Sequence, residues 1–366
     1  MKKNTVITKD PILKLIKRSL INLPTPTSIS FLWNIGFLLR IVLIIQIVTG
    51  IIISINYISS TDIAFNSVIH LIRDTQLGWT SRYVHINGAS VFFILIYIHL
   101  RRGVYYNSPI KTPIVWISGV VIILLSIITA FIGYVLPWGQ ISYWGATVIT
   151  SILSSIPYIG NIIIIWLWGD FSVSQPTLNR ILSLHFLIPF ILVAIVLAHL
   201  ILLHQTGSSN PIGTQPNLEK IKFFPYFLIK DISPLVLVSI IIRVLISINP
   251  ELLGDPENFN IARIISTPTH IKPEWYFLFA YAILRCIPSK LGGVTAIISS
   301  ILVFLTICIK KNKISRKFNP IKKITFWIIV TIFVLLTWLG GKPVNEISTI
   351  LAQSITMCYF SVILFI

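Results

Sequence analysis

The chain is short of charge. Only 11% of its 366 residues are Asp, Glu, Lys or Arg, against 55% hydrophobic residues; a soluble domain carries about 25% charged residues. A surface so poor in charge does not stay dispersed in water, so the solvent is lipid, and the mean hydropathy of +0.88 agrees. Acidic residues are the scarcest, 11 against 29 basic ones, for a net charge of +18. Such an excess on a soluble domain suggests nucleic acid. Here Lys and Arg fall in short clusters between apolar runs, the pattern of inward-facing loops in a membrane protein. The three cysteines, Cys286, Cys308 and Cys358, are odd in number and widely spaced, and no CxxCH is present. The count and spacing argue against a disulfide framework and against covalent haem attachment, and the cysteines read as small apolar side chains. Residues 1–30 lack the short apolar core of a secretory signal.

What is present is apolar length. A bilayer span takes about 20 apolar residues, and eight runs qualify, at 32–56, 79–105, 113–136, 175–204, 226–248, 289–309, 322–340 and 348–366. The stretches 137–174 and 249–288 are rich in Pro, Gly and Trp, including Trp138, Trp144, Trp166 and Trp168, and predict short helices at headgroup level. The fold class expected is an all-α membrane protein of eight transmembrane helices. Its N-terminal region, 1–210, holds four helices and its C-terminal region, 211–366, another four. Eight spans put both termini on one side. The basic clusters (Lys2 to Arg18; Arg101, Arg102 and Lys111; Lys220 to Lys230; Lys310 to Lys323) all fall on that side, which is the inside. Most acids, Glu251, Asp255 and Glu274 among them, fall outside. The apolar residues lean to Ile, which suits the AT-rich coding of an organelle genome.

Four histidines stand out. His85 and His99 lie in the second run, His185 and His199 in the fourth, each pair fourteen residues apart. Fourteen residues make almost four helical turns, so each pair lies on one stripe, roughly 21 Å apart along the axis. The two runs are parallel, so His85 is level with His185 near the outside and His99 with His199 near the inside. Polar residues inside a membrane are costly and usually functional. Zinc asks for four protein ligands or so, and each level offers two, with no Cys or carboxylate on the stripe. A haem iron brings four nitrogens and takes two axial ligands. Gly36 and Gly50 in the first run, and Gly119 and Gly133 in the third, repeat the fourteen-residue spacing and give room for a macrocycle. Arg82 and Arg102 flank the ladder at its ends, where haem propionates need cations.

The segments RYVHINGAS (82–90), WGQISYWGATVITS (138–151), LLHQTGSSNP (202–211) and PEWYFLFAYAILRCIPSKLGG (273–293) resemble the mitochondrial cytochrome b family, the core of the quinol–cytochrome c reductase (bc1-type) complex. The resemblance runs from about Leu23 to Gly341. It implies a four-helix bundle holding two b-type haems, the outer one on His85 and His185 and the inner one on His99 and His199. It implies an outer pocket where quinol is oxidised, formed by Gly145, Trp144, Ile149, Glu274 and Tyr281, with Glu274 taking a proton. An inner pocket for quinone reduction would use His204, Ser208 and Asp231, which can hydrogen-bond and protonate the ring oxygens. Ubiquinone and ubiquinol would be the substrates. The partners implied are a Rieske iron–sulfur protein, a c-type cytochrome subunit and further reductase subunits, in a homodimeric complex of the mitochondrial inner membrane with both termini on the matrix side. The sequence departs from the family at Arg40, where a small residue is usual, at Phe37 (serine), at Arg101 (glycine) and at Gln205 (an acid). His70 and His270 have no assigned role. Three other readings remain open from the residues themselves: a proton-relaying transporter, a different di-haem cytochrome, and a structural subunit. Only the last would not need the ladder, and the first predicts no visible absorption.

Overall fold

A computed structural model describes residues 10–212, 219–309 and 319–365. Lys2, Lys3, Lys9 and the basic residues from Lys310 to Lys317 lie outside the described residues. Eight helices are long and apolar enough to cross a membrane: Phe31–Asn56, Gly78–Tyr105, Pro113–Val135, Gln175–Thr206, Tyr226–Ile248, Lys290–Ile309, Pro320–Gly340 and Glu346–Phe365. They are the eight apolar runs, with ends shifted by a few residues. The chain is an all-α membrane protein. The one small sheet among the described residues pairs Pro24–Pro26 with Lys220–Lys222, antiparallel.

The first four spans form two tight pairs. The first packs along the second, and the third along the fourth. Lipid tails are as apolar as leucine, so such pairing rests on close packing rather than on hydrophobic drive. The two pairs face each other across an internal cavity of about 250 Å³. The fifth span leans on the first and second. Its Pro234 has no N–H to give to the carbonyl four residues back, that of Lys230. Asn34, at the head of the first span, takes that carbonyl with its Nδ2 at 2.6 Å, and Lys230 Nζ in turn donates to the carbonyl of Ile29. A helix defect in one span thus becomes a fixed joint to another.

The connecting stretches carry the expected short helices at Gln140–Ser151 and Gly160–Trp168. The segment Leu278–Cys286 differs from the expectation. It is no surface helix but a buried wedge against the seventh and eighth spans, with Ala282 and Ile283 fully enclosed. Two glycines admit it. A side chain at Gly340 would run into the Leu278 backbone, and a Cβ at Gly293 would meet the Leu284 carbonyl oxygen at 2.8 Å. Tyr97 of the second span donates to the carbonyl of Tyr276 at 2.5 Å and so ties the turn Trp275–Phe277, which leads into the wedge, to the bundle of the first four spans.

Candidate functional site

The ladder is assembled in space. The His85 and His185 rings face each other with centroids 6.3 Å apart and planes at 80°, and both line the cavity between the helix pairs. Two imidazoles so placed would hold the iron of a planar cofactor between them, the remaining positions being filled by the cofactor's own nitrogens. At the other level, His99 and His199 lie within electrostatic reach of each other.

Each glycine sits beside one imidazole. A Cβ at Gly36 would touch the His99 ring at 3.4 Å, at Gly50 the His85 ring at 3.1 Å, and at Gly119 the His199 ring at 3.5 Å; at Gly133 it would enter the His185 ring. The room that the glycines free is taken up first by the histidine rings. Within each helix pair, a glycine on one span lets the imidazole of the other swing into the gap.

The second ring nitrogens decide which nitrogen is left for a metal. Thr49 Oγ1 donates to the Ile45 carbonyl at 2.7 Å and so accepts from His85 Nδ1–H at 3.0 Å. Ser118 Oγ donates to the Val115 carbonyl and accepts from His199 Nδ1–H, both at 2.8 Å. His185 Nδ1–H donates to the Thr129 carbonyl at 3.0 Å. In all three, Nε2 is left bare. His99 differs. Its Nδ1 neighbour is the Arg102 guanidinium at 3.4 Å, a group with donors only.

The residues fit a haem in two further respects. Arg82 and Arg102 each keep a buried Nε without a hydrogen-bond partner, one at each end of the ladder. Cations left so in a low-dielectric bundle suit carboxylate groups arriving with a ligand. The cavity wall is mostly apolar and draws on all four spans.

A second, smaller cavity of about 30 Å³ is lined by Gly145, Ile149, Glu274 and Tyr281. These four expected outer-pocket residues therefore meet. Nothing would touch a Cβ at Gly145, so that helix face is open. Tyr281 donates to the Ile271 carbonyl at 3.1 Å. Trp144 turns elsewhere, its Nε1 donating to the Arg263 carbonyl at 3.3 Å. Glu274 and Tyr134 line both cavities, and the two are hydrogen-bonded. Burial pushes the Glu274 carboxyl up to about 7. The nearby Asp255 charge adds to the shift, while the Tyr134 hydrogen bond and the cations Arg82 and Lys272 oppose it. Asp255 is itself held by Lys272 at 3.5 Å. Tyr134 was not apparent from the sequence.

On the inner side, Asp231 is buried in the first turns of the fifth span. His204 is exposed in the last turn of the fourth, and Ser208 follows just past Gly207. Arg40 lies within electrostatic reach of both Asp231 and His204. Arg101 stacks on Trp327 at 4.7 Å, away from the ladder, and Gln205 is exposed. His70 pairs with Asp74 at 2.9 Å on the surface of the helix Ala64–Asp74.

Eight apolar spans, the first four of which carry a double histidine ladder around a mostly apolar cavity, define the class: an intramembrane protein of the kind that could hold planar metal cofactors. The chain matches the family model described as Cytochrome b/b6/petB over residues 20–207, and that described as Cytochrome b(C-terminal)/b6/petD over residues 261–360. Among solved structures it is similar to a chain of a hyperthermophilic respiratory Complex III, at 30% sequence identity and a TM-score of 0.91, covering 98% of this chain and 96% of that one. The chain belongs to the cytochrome b family and is a cytochrome b of the bc1 type. It is accordingly a b-type cytochrome subunit of a quinol–cytochrome c reductase, with other subunits beside it, and its membership implies haem b.

Proposed function

We propose that this chain oxidises quinol in the pocket at Glu274, on the outer side, and reduces quinone in a pocket between His204, Ser208 and Asp231, on the inner side. His85 with His185, and His99 with His199, would hold the two haems, and Arg82 and Arg102 would meet their propionates. When bound, the haems supply one-electron carriers between the pockets. Residues 1–210 form the haem-holding region and 211–366 the region carrying the PEWY segment. The setting is the mitochondrial inner membrane, with both termini on the matrix side. The complex is a homodimer that includes a Rieske iron–sulfur protein and a c-type cytochrome.

The observation that carries this reading is the place of Glu274. Its carboxyl lies in the wall shared by the small cavity and the large one, and its affinity for a proton is set near neutrality. A base so poised accepts a proton from a quinol hydroxyl. Facing both cavities, it releases that proton on the far side after turning about its side-chain bonds, with Tyr134 as its hydrogen-bond partner. Quinol gives up two electrons and two protons. Glu274 takes one proton and the other is released to the outer aqueous side. One electron leaves for the iron–sulfur partner and the second goes to the inner pocket, so that two quinols oxidised supply the two electrons that reduce one quinone. There, Asp231 and His204 supply the protons that the reduced ring oxygens take up. Replacing Glu274 with Gln tests the reading. Quinol oxidation by the assembled complex should slow about a hundredfold, with both b-haem absorption bands retained. A rate equal to the parent's would remove Glu274 from the pocket chemistry.

A further inference from the structure

Arg40 is the one charged residue in the helix Ile35–Asn56. A lone charge inside a span is costly and marks a functional contact. Its Nε is buried and has no hydrogen-bond partner, and its guanidinium lies over the Phe37 ring, 5.6 Å from the centroid. It feels the charge of Asp231 and acts on His204. Yet Arg40 and Asp231 do not close an ion pair, since those among the described residues join His70 to Asp74 and Lys272 to Asp255. Two opposite charges in an apolar setting attract strongly, and here the backbone joint between Asn34 and the Lys230 carbonyl at 2.6 Å fixes the spans that carry them. A buried guanidinium N–H without a partner, near a carboxyl it does not meet, suits a group that accepts from the one and faces the other.

We propose that Arg40 is a fourth polar contact of the inner quinone pocket, beside His204, Ser208 and Asp231, its Nε–H donating to an oxygen of a quinone headgroup held between Asp231 and His204. The proposal rests on the inner-pocket reading above. Guanidinium offers donors only, so its partner is an acceptor oxygen, from a quinone or from a lipid phosphate. Position favours the quinone: Arg40 lies six residues into the helix from Asn34, roughly 9 Å along the axis, inside a candidate membrane span. It is also one turn from Gly36, which abuts His99.

The test uses the purified, oxidised complex and a photoreactive azido-ubiquinone analogue, with labelled peptides mapped and a dissociation constant taken from saturation. In the parent complex the label should fall on the first, fourth and fifth spans. Arg40→Gln should weaken that binding about tenfold, the loss of one charge-assisted hydrogen bond, and Arg40→Lys should recover part of it, with the b-haem absorption unchanged. Should Arg40→Gln fail to assemble, Arg40→Lys decides, with an expected weakening of about threefold. Labelling of the same peptides at parental affinity would overturn the role of Arg40 while leaving the pocket. Loss of bound phospholipid phosphorus at unaltered quinone affinity would give the guanidinium to lipid and also overturn it. A parent label that misses these spans and ignores Asp231→Asn and His204→Asn would instead sink the inner pocket itself.

Discussion

A single carboxyl carries the outer chemistry, and its neighbours explain how it works near neutral pH. Burial and the Asp255 charge raise the proton affinity of Glu274 until it titrates at about 7. The ionised form accepts the proton, so quinol oxidation should rise with pH through about 7 and level off above it, where the carboxyl is already ionised. In Glu274→Gln this limb of the profile should be missing, as steady-state rates from pH 5.5 to 8.5 would show. Replacing Asp255 with Asn removes a raising influence, so the limb should move to lower pH. Much of this was legible in the sequence: an acid inside PEWY, and a ladder whose fourteen-residue step is a property of helix geometry. The partnership with Tyr134 was not, because 140 positions separate it from Glu274 and no periodicity links them. Arg40 was legible as a departure from the family's usual small residue, but its electrostatic neighbours Asp231 and His204 come from spans that only the folded chain brings alongside.

Between helices, glycine spacing was legible, but its purpose was only half so. Matched steps on the first and third spans pointed to room for a broad ligand, whereas the structure lays each glycine against an imidazole. A graded outcome follows. Gly133→Ala should disturb the outer haem most and Gly50→Ala next, because a Cβ there would enter or crowd a ring. Gly36→Ala and Gly119→Ala, at 3.4 and 3.5 Å, meet ordinary contact distances and should keep both haem bands in difference spectra. The joint between the first and fifth spans gives a second expectation. Asn34→Leu leaves the Lys230 carbonyl buried without a partner, a cost of about 1–3 kcal/mol, and should lower the thermal midpoint of the complex. Asn34→Leu combined with Pro234→Ala restores the helical bond to that carbonyl and should recover most of the loss. Proline in the fifth run was not singled out in the sequence, and neither was the asparagine that answers it, 200 positions earlier, because no local pattern links the two.

For the whole molecule, the number of spans followed from composition, since lipid leaves few options for a backbone. The buried wedge of Leu278–Cys286 escaped, because its length is too short to span and its Pro-rich approach looks like a loop. His99→Leu should abolish one b-haem and spare the other, read as half the reduced-minus-oxidised amplitude; loss of neither would break the pairing of levels.

The gap between the two helix pairs has a consequence for biogenesis. A bundle whose halves, packed side chain to side chain in part, would also be bridged by haem gains part of its stability from that group, so the newly inserted chain would be a substrate for quality control until it is loaded. Cells starved of porphyrin should therefore degrade this polypeptide faster than a bundle closed by side chains alone, and membrane-protease mutants should let it accumulate.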